Sequence, residues 1–236
     1  MSENRAASDC RVAIYGGSFN PIHRGHTALA NAICSVGLVD EVWLMVSPLN
    51  PFKQADEQHI LPTWLRIKLA RIATAPYRRL HVSDLESSMP TPSYTVTTLE
   101  RLEAIFPTYR FSLLMGEDNW QGFDNWYRAD YIRSHHDLII YQRQPDSARS
   151  EDKGDAAPNA DSSFFIFNSS FPQATVTVHR PDGTSQCLSD SRLRIYPISS
   201  TQIRQAIRRG DEPFLRQWLH GSVANYILRH PHLFTC

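Results

Sequence analysis

The chain has 236 residues, of which 42% are hydrophobic and 20% charged, and its 24 basic side chains balance 24 acidic ones to a formal net charge of zero. That length suits one large domain burying roughly 70% of its unfolded surface. The composition excludes a disordered chain, a membrane-coating protein and one built for bulk nucleic-acid electrostatics, so the expected ligands are small molecules.

The first apolar run along the chain is VAIY (12–15), followed by EVWLMV (41–46), RLHVSDL (79–85), RFSLLM (110–115), DLIIY (137–141) and RLRIYPI (192–198), and each reads as a strand. Between them lie amphipathic segments over 22–36, 62–75 (Leu65, Leu69 and Ile72 on one face) and 95–105 (Leu99, Leu102 and Ile105), which read as helices. This alternation predicts an α/β fold: a mostly parallel, doubly wound sheet covered by helices on both faces, with a small helical part at the C-terminus through FLRQWLHG and VANYILRH. Residues 144–163 are rich in Pro, Ser, Asp and Ala and carry no apolar period. After them, ATVTVHRPDGTSQCL alternates apolar and polar positions around Pro181, Asp182 and Gly183, the pattern of an edge hairpin. The expected organisation is one domain over 11–236, a polar N-terminal extension over 1–10, and a polar insertion over 144–191 with the hairpin inside it.

Cys10, Cys34, Cys187 and Cys236 have no CxxC spacing, which argues against a zinc module or a disulfide framework and for free thiols in a reducing compartment. The start is polar and no run approaches the roughly 18 apolar residues of a membrane span. A cytoplasmic protein without membrane or nucleic-acid partners is expected, with a homo-oligomer left open.

In YGGSFNPIHRGH (15–26), a buried strand runs into Gly16 and Gly17, where missing side chains let backbone N–H groups approach a phosphate. Pro21 fits a helix start near Ile22. His23 and His26 then fall in the first turn, share a face with Cβ atoms about 5–6 Å apart, and sit at the positive end of the helix dipole. Zinc is disfavoured, because a third ligand and the glutamate of HExxH are missing. A second anion site is expected at ISSTQIRQAIRRG (198–210), where Ser199 and Gln202 have capping-box spacing and Thr201 and Arg204 fall on the first turn of the helix they start.

The first stretch resembles the H/TxGH motif of the nucleotidylyltransferase superfamily, and the second its ISSTxIR signature. The resemblance implies that Gly16, Gly17, Ser18 and Phe19 border the nucleotide, that His23 contacts the triphosphate and that His26 stabilises the transition state. Ile198, Ser199, Ser200 and Thr201 would complete the nucleotide site, with Arg204 on the phosphates. Asn20 stands where many relatives carry aspartate. SPLNPFK (47–53) resembles the family's PPHK-type segment and makes Lys53 the phosphate-contacting lysine, with Phe52 in place of a histidine.

Two further segments are similar to nicotinate-nucleotide adenylyltransferases. TPSYTVTTLERL (91–102) resembles PSYTxDTL and implies acceptor contacts from Tyr94 and Thr95, with Thr97 replacing the usual aspartate. MGEDNWQGFDNWYRADYI (115–132) resembles GxDxxxxFxxWxxxxxI through Gly116, Asp118, Phe123 and Trp126. Asp118 can accept from sugar hydroxyls and an aromatic ring can stack on a pyridinium, although Phe123 and Trp126, three apart, fit plain core equally well. The implied reaction is adenylyl transfer from ATP to nicotinate mononucleotide, with Mg²⁺ held mainly by the triphosphate and no dedicated metal site in the protein. Nicotinamide mononucleotide and phosphopantetheine are alternative acceptors. A class I aminoacyl-tRNA synthetase is disfavoured, since it would need a KMSKS-like loop and a tRNA-binding appendage.

Overall fold

The computed structural model describes residues 9–48, 60–142 and 171–234. Seven strands form one sheet: β1 (Cys10–Gly17), β2 (Glu41–Val46), β3 (Leu80–Ser83), β4 (Tyr109–Gly116), β5 (Leu138–Gln142), β6 (Gln173–His179) and β7 (Ser185–Arg194). Their order is β3-β2-β1-β4-β5-β6-β7. The first five pair in parallel, and β6 and β7 continue the sheet antiparallel as a hairpin. The strand order therefore reverses between β1 and β4, and at such a switch point the carboxyl ends of the strands leave a crevice for a ligand.

Helices α1 (Arg24–Ser35), α2 (Thr63–Thr74) and the C-terminal α6 (Ser200–Arg209), α7 (Glu212–Trp218) and α8 (Gly221–Arg229) cover one face. Helices α3 (Thr95–Ile105) and α5 (Ala129–His135) cover the other, and the short α4 (Glu117–Gln121) follows β4 directly. The strands read as unbroken apolar runs because both faces are buried: in β1, Ala13 and Tyr15 enter the core with α1 and α2, while Val12 and Ile14 enter the core with α3.

Two elements differ from expectation. The helix predicted from Ile22 starts at Arg24, because Ile22 is buried in the core and His23 is extended (φ −142°, ψ 171°), so His23 is the N-cap and not a first-turn residue. RLRIYPI is not a separate strand. Arg192–Arg194 end β7, and the chain then runs through Pro197, which has no N–H to give a ladder, into the N-cap of α6.

Candidate active site

The histidine pair sits where β1 gives way to α1. The His23 backbone N–H donates to His26 Nδ1 at 3.2 Å, the N3 side chain of the capping box that starts α1. With Nδ1 accepting, neutral His26 carries its proton on Nε2 as a donor. The two rings stack with centroids 3.7 Å apart and planes 25° apart, and Phe19 meets the His26 ring edge-on at 5.1 Å. Gly25 makes the stack feasible: a Cβ there would lie 3.1 Å from His23 Nδ1 and 3.2 Å from Ile198 Cγ2. Gly17 has a similar duty, since its Cβ would press on the Phe19 ring at 3.2 Å, whereas a Cβ at Gly16 would meet nothing within 4 Å. The backbone at Gly16 faces open space, as a phosphate loop requires.

The two motifs, far apart in sequence, are in contact. Arg204 Nη1 donates to the Asn20 carbonyl at 2.9 Å, its Nη2 donates to Thr201 Oγ1 at 3.1 Å, and Ser200 Oγ donates to the Pro21 carbonyl at 3.0 Å. The expected capping box is present: Ser199 Oγ accepts from the Gln202 N–H at 3.3 Å and the Ser199 N–H donates to Gln202 Oε1 at 2.8 Å. Two helix N-termini, those of α1 and α6, thus converge on one loop, and both favour anions. The side chain of Asn20 is also engaged, Oδ1 accepting from the Leu61 N–H at 3.0 Å. Lys53 lies outside the described residues.

A cleft beside the histidine pair is lined by Tyr15, His26, Tyr141, Arg194, Tyr196 and Ile198, among others. Tyr15 and Tyr141 link it to the carboxyl end of β4: their rings are 6.4 Å apart, and a Cβ on Gly116 would lie 3.2 Å from Tyr141 and collide with Asp118 Oδ1. Gly116 is therefore the residue that lets Asp118, exposed on α4, fold back over the strand end. Arg194, the last residue of β7, is held by donating to the carbonyls of Phe171 at 2.9 Å and Ser191 at 2.8 Å. The sequence assigns no role to Tyr15, which opens the glycine-rich stretch, or to Tyr141, Arg194 and Tyr196, which lie in strand-end segments that carry no motif.

The residues expected at the acceptor gather on the other face of the sheet. Phe123 is fully buried against Trp120 and Trp126, each 5.3 Å away, so of its two readings the structure realises core. Trp126 is half-buried. Tyr94, the N-cap of α3, is 41% exposed and pairs with the exposed Tyr127 at 4.9 Å, and Thr95 is the first helical residue. Buried Glu86 anchors this turn by accepting from Ser93 Oγ at 3.1 Å and Thr98 Oγ1 at 2.8 Å, a role that no local pattern announces.

The chain is similar to known proteins in sequence and in fold. The Cytidylyltransferase-like family model matches residues 14–206. The probable nicotinate-nucleotide adenylyltransferase of Bacteroides fragilis is 39% identical over 220 residues, covering 93% of this chain and 92% of the relative. That of Porphyromonas gingivalis is 35% identical over 88% of each chain. In three dimensions the chain is similar to Plasmodium falciparum nicotinic acid mononucleotide adenylyltransferase complexed with NaAD, with a TM-score of 0.61, 17% identity, and coverage of 95% of this chain and 97% of that one, a likeness of fold alone.

Proposed function

The chain belongs to the nicotinate-nucleotide adenylyltransferase family, and from that premise we propose that it transfers the adenylyl group of ATP to nicotinate mononucleotide, forming nicotinate adenine dinucleotide and pyrophosphate. The observation that carries the reading is the junction of the two nucleotide motifs through Arg204–Asn20 and Ser200–Pro21 at the carboxyl edge of β1.

The acceptor's 5′-phosphate, whose second pKa near 6 leaves it largely dianionic at neutral pH, attacks the α-phosphorus in line. A new phosphoanhydride bond forms as the α–β bond breaks, and pyrophosphate leaves with the electron pair. No general base is needed, so the protein's task is to bring anions together and hold them aligned. In this reading His26 Nε2–H, His23, Arg204, Lys53 and the N-termini of α1 and α6 surround the phosphates, with Gly16, Gly17, Ser18, Phe19 and residues 198–201 bordering the nucleotide. Tyr94, Thr95, Trp126 and Asp118 receive the acceptor. Among the described residues no group of three or more His, Cys, Asp and Glu is arranged to hold a metal ion. Mg²⁺, which keeps water and favours phosphate oxygens, would arrive with the triphosphate and supply charge neutralisation there. Among the described residues no helix is long and apolar enough to cross a membrane.

The test is pyrophosphate release with ATP and a panel of nicotinate mononucleotide, nicotinamide mononucleotide and phosphopantetheine, run on the wild type and on His26→Ala. Fastest turnover with nicotinate mononucleotide is expected, together with a loss on the order of 10²- to 10³-fold in the variant. Faster turnover with another acceptor overturns the substrate assignment, and a His26→Ala enzyme within a few-fold of wild type overturns the role of His26.

A further inference from the structure

Arg66 lies in α2 and is only 1% exposed, among the largest fully buried side chains of the described residues. A guanidinium has five N–H donors in a rigid fork, and burying it is costly unless all of them are met. All five are met. Nε donates to the Leu61 carbonyl at 2.9 Å; Nη1 donates to the carbonyls of Ser18 at 2.7 Å and Ser47 at 2.8 Å; Nη2 donates to the Pro48 carbonyl at 3.1 Å and to Thr63 Oγ1 at 3.0 Å. None of these partners is a carboxylate. Burial lowers its pKa only to about 10, so the group stays charged at neutral pH.

The carbonyls belong to three separate segments. Ser18 is in the glycine loop after β1, Ser47 and Pro48 follow β2, and Leu61 precedes α2. Two further ties run in parallel with the fork: Ser47 N–H donates to the Gly17 carbonyl at 3.0 Å, and Leu61 N–H donates to the side-chain Oδ1 of Asn20. Asn20 in turn accepts from Arg204 through its own carbonyl. A continuous hydrogen-bonded path therefore runs from the ISSTQIR helix through the loop before His23 to Arg66.

We propose that Arg66 is a positioning residue for the triphosphate: its fork holds the glycine loop and the segment leaving β2 in one fixed arrangement, and its charge, met only by carbonyl and hydroxyl dipoles, lies one hydrogen bond from that loop. Lysine cannot replace it, because an ammonium is a point donor that cannot span carbonyls of three segments. The proposal deepens the adenylyl-transfer reading and rests on it.

Arg66→Lys retains the charge and removes the fork. The expected result is a folded enzyme whose kcat/KM for ATP falls about 10- to 100-fold, the scale of a small misplacement at the reacting centre, while KM for the mononucleotide stays close to wild type. Thr63→Val removes a single acceptor at the outer end of the fork and is expected to shift the same parameter in the same direction by about 2- to 5-fold, which keeps the proposal testable if Arg66→Lys does not fold. A purely structural arginine would lower the melting temperature and leave the kinetics of the folded protein untouched. Unchanged kcat/KM for ATP in folded Arg66→Lys, or in Thr63→Val should Arg66→Lys not fold, overturns the positioning role. Wild type that releases no pyrophosphate with any acceptor overturns the reaction instead, so the two failures are distinguishable.

Discussion

At Gly25 stability and activity pull in opposite directions. The residue is helical, where alanine is worth up to about 1 kcal/mol over glycine, yet its Cβ would stand 3.1 Å from the His23 ring. Gly25→Ala is therefore expected to fold with a melting temperature near wild type and to lose about 10- to 100-fold in kcat, as thermal melts and steady-state kinetics on one preparation would show. The motif string contains this glycine, but its reason is a contact that only coordinates reveal. Asn20 is similar. Its carboxamide oxygen accepts one backbone N–H, a task aspartate could also perform, and the amide does it without adding a negative charge beside two helix N-termini.

At the scale of elements, what is local was readable. The capping box of α6 follows from Ser199 and Gln202 being three apart, and it forms as the spacing predicts. The start of α1 was displaced because the cap there is a histidine ring accepting a histidine N–H, for which no propensity scale has a signal. The caps also separate structure from function. Asp211 Oδ1 accepts from the Phe214 N–H at 3.1 Å at the start of α7, away from the cleft. Asp211→Ala should lower the unfolding free energy by about 1 kcal/mol in urea titrations without changing turnover, whereas Ser199→Ala should lower both.

For the whole molecule, the C-terminal helices are fastened to α1 at a half-buried junction. Thr27 Oγ1 and His220 Nε2 are 2.8 Å apart, and Arg24 Nε donates to the Leu219 carbonyl at 2.9 Å. Burial, and secondarily the Arg24 charge, pushes His220 from an ordinary 6.5 down to about 4. The folded state thus holds this histidine neutral while the unfolded chain takes up a proton, so the contribution is complete above about 6.5 and is lost as pH falls towards about 4. Its size is on the order of 3 kcal/mol. Urea midpoints measured across that window should fall with pH, and His220→Gln should flatten the fall.

The sequence by itself determined the alternating strands and helices, the two-faced sheet they imply, and the capping box that starts α6, because each depends on spacing within a few residues. It left Lys53 as an assignment that falls outside the described residues. Only the tertiary structure decided that Arg204 would meet Asn20 across 184 positions, that Phe123 would be core while Trp126 stays half-exposed, and that an arginine beside the apolar stripe of α2 would be buried under the glycine loop. Those outcomes depend on strand order and on which loops the sheet brings together, and no local period encodes either.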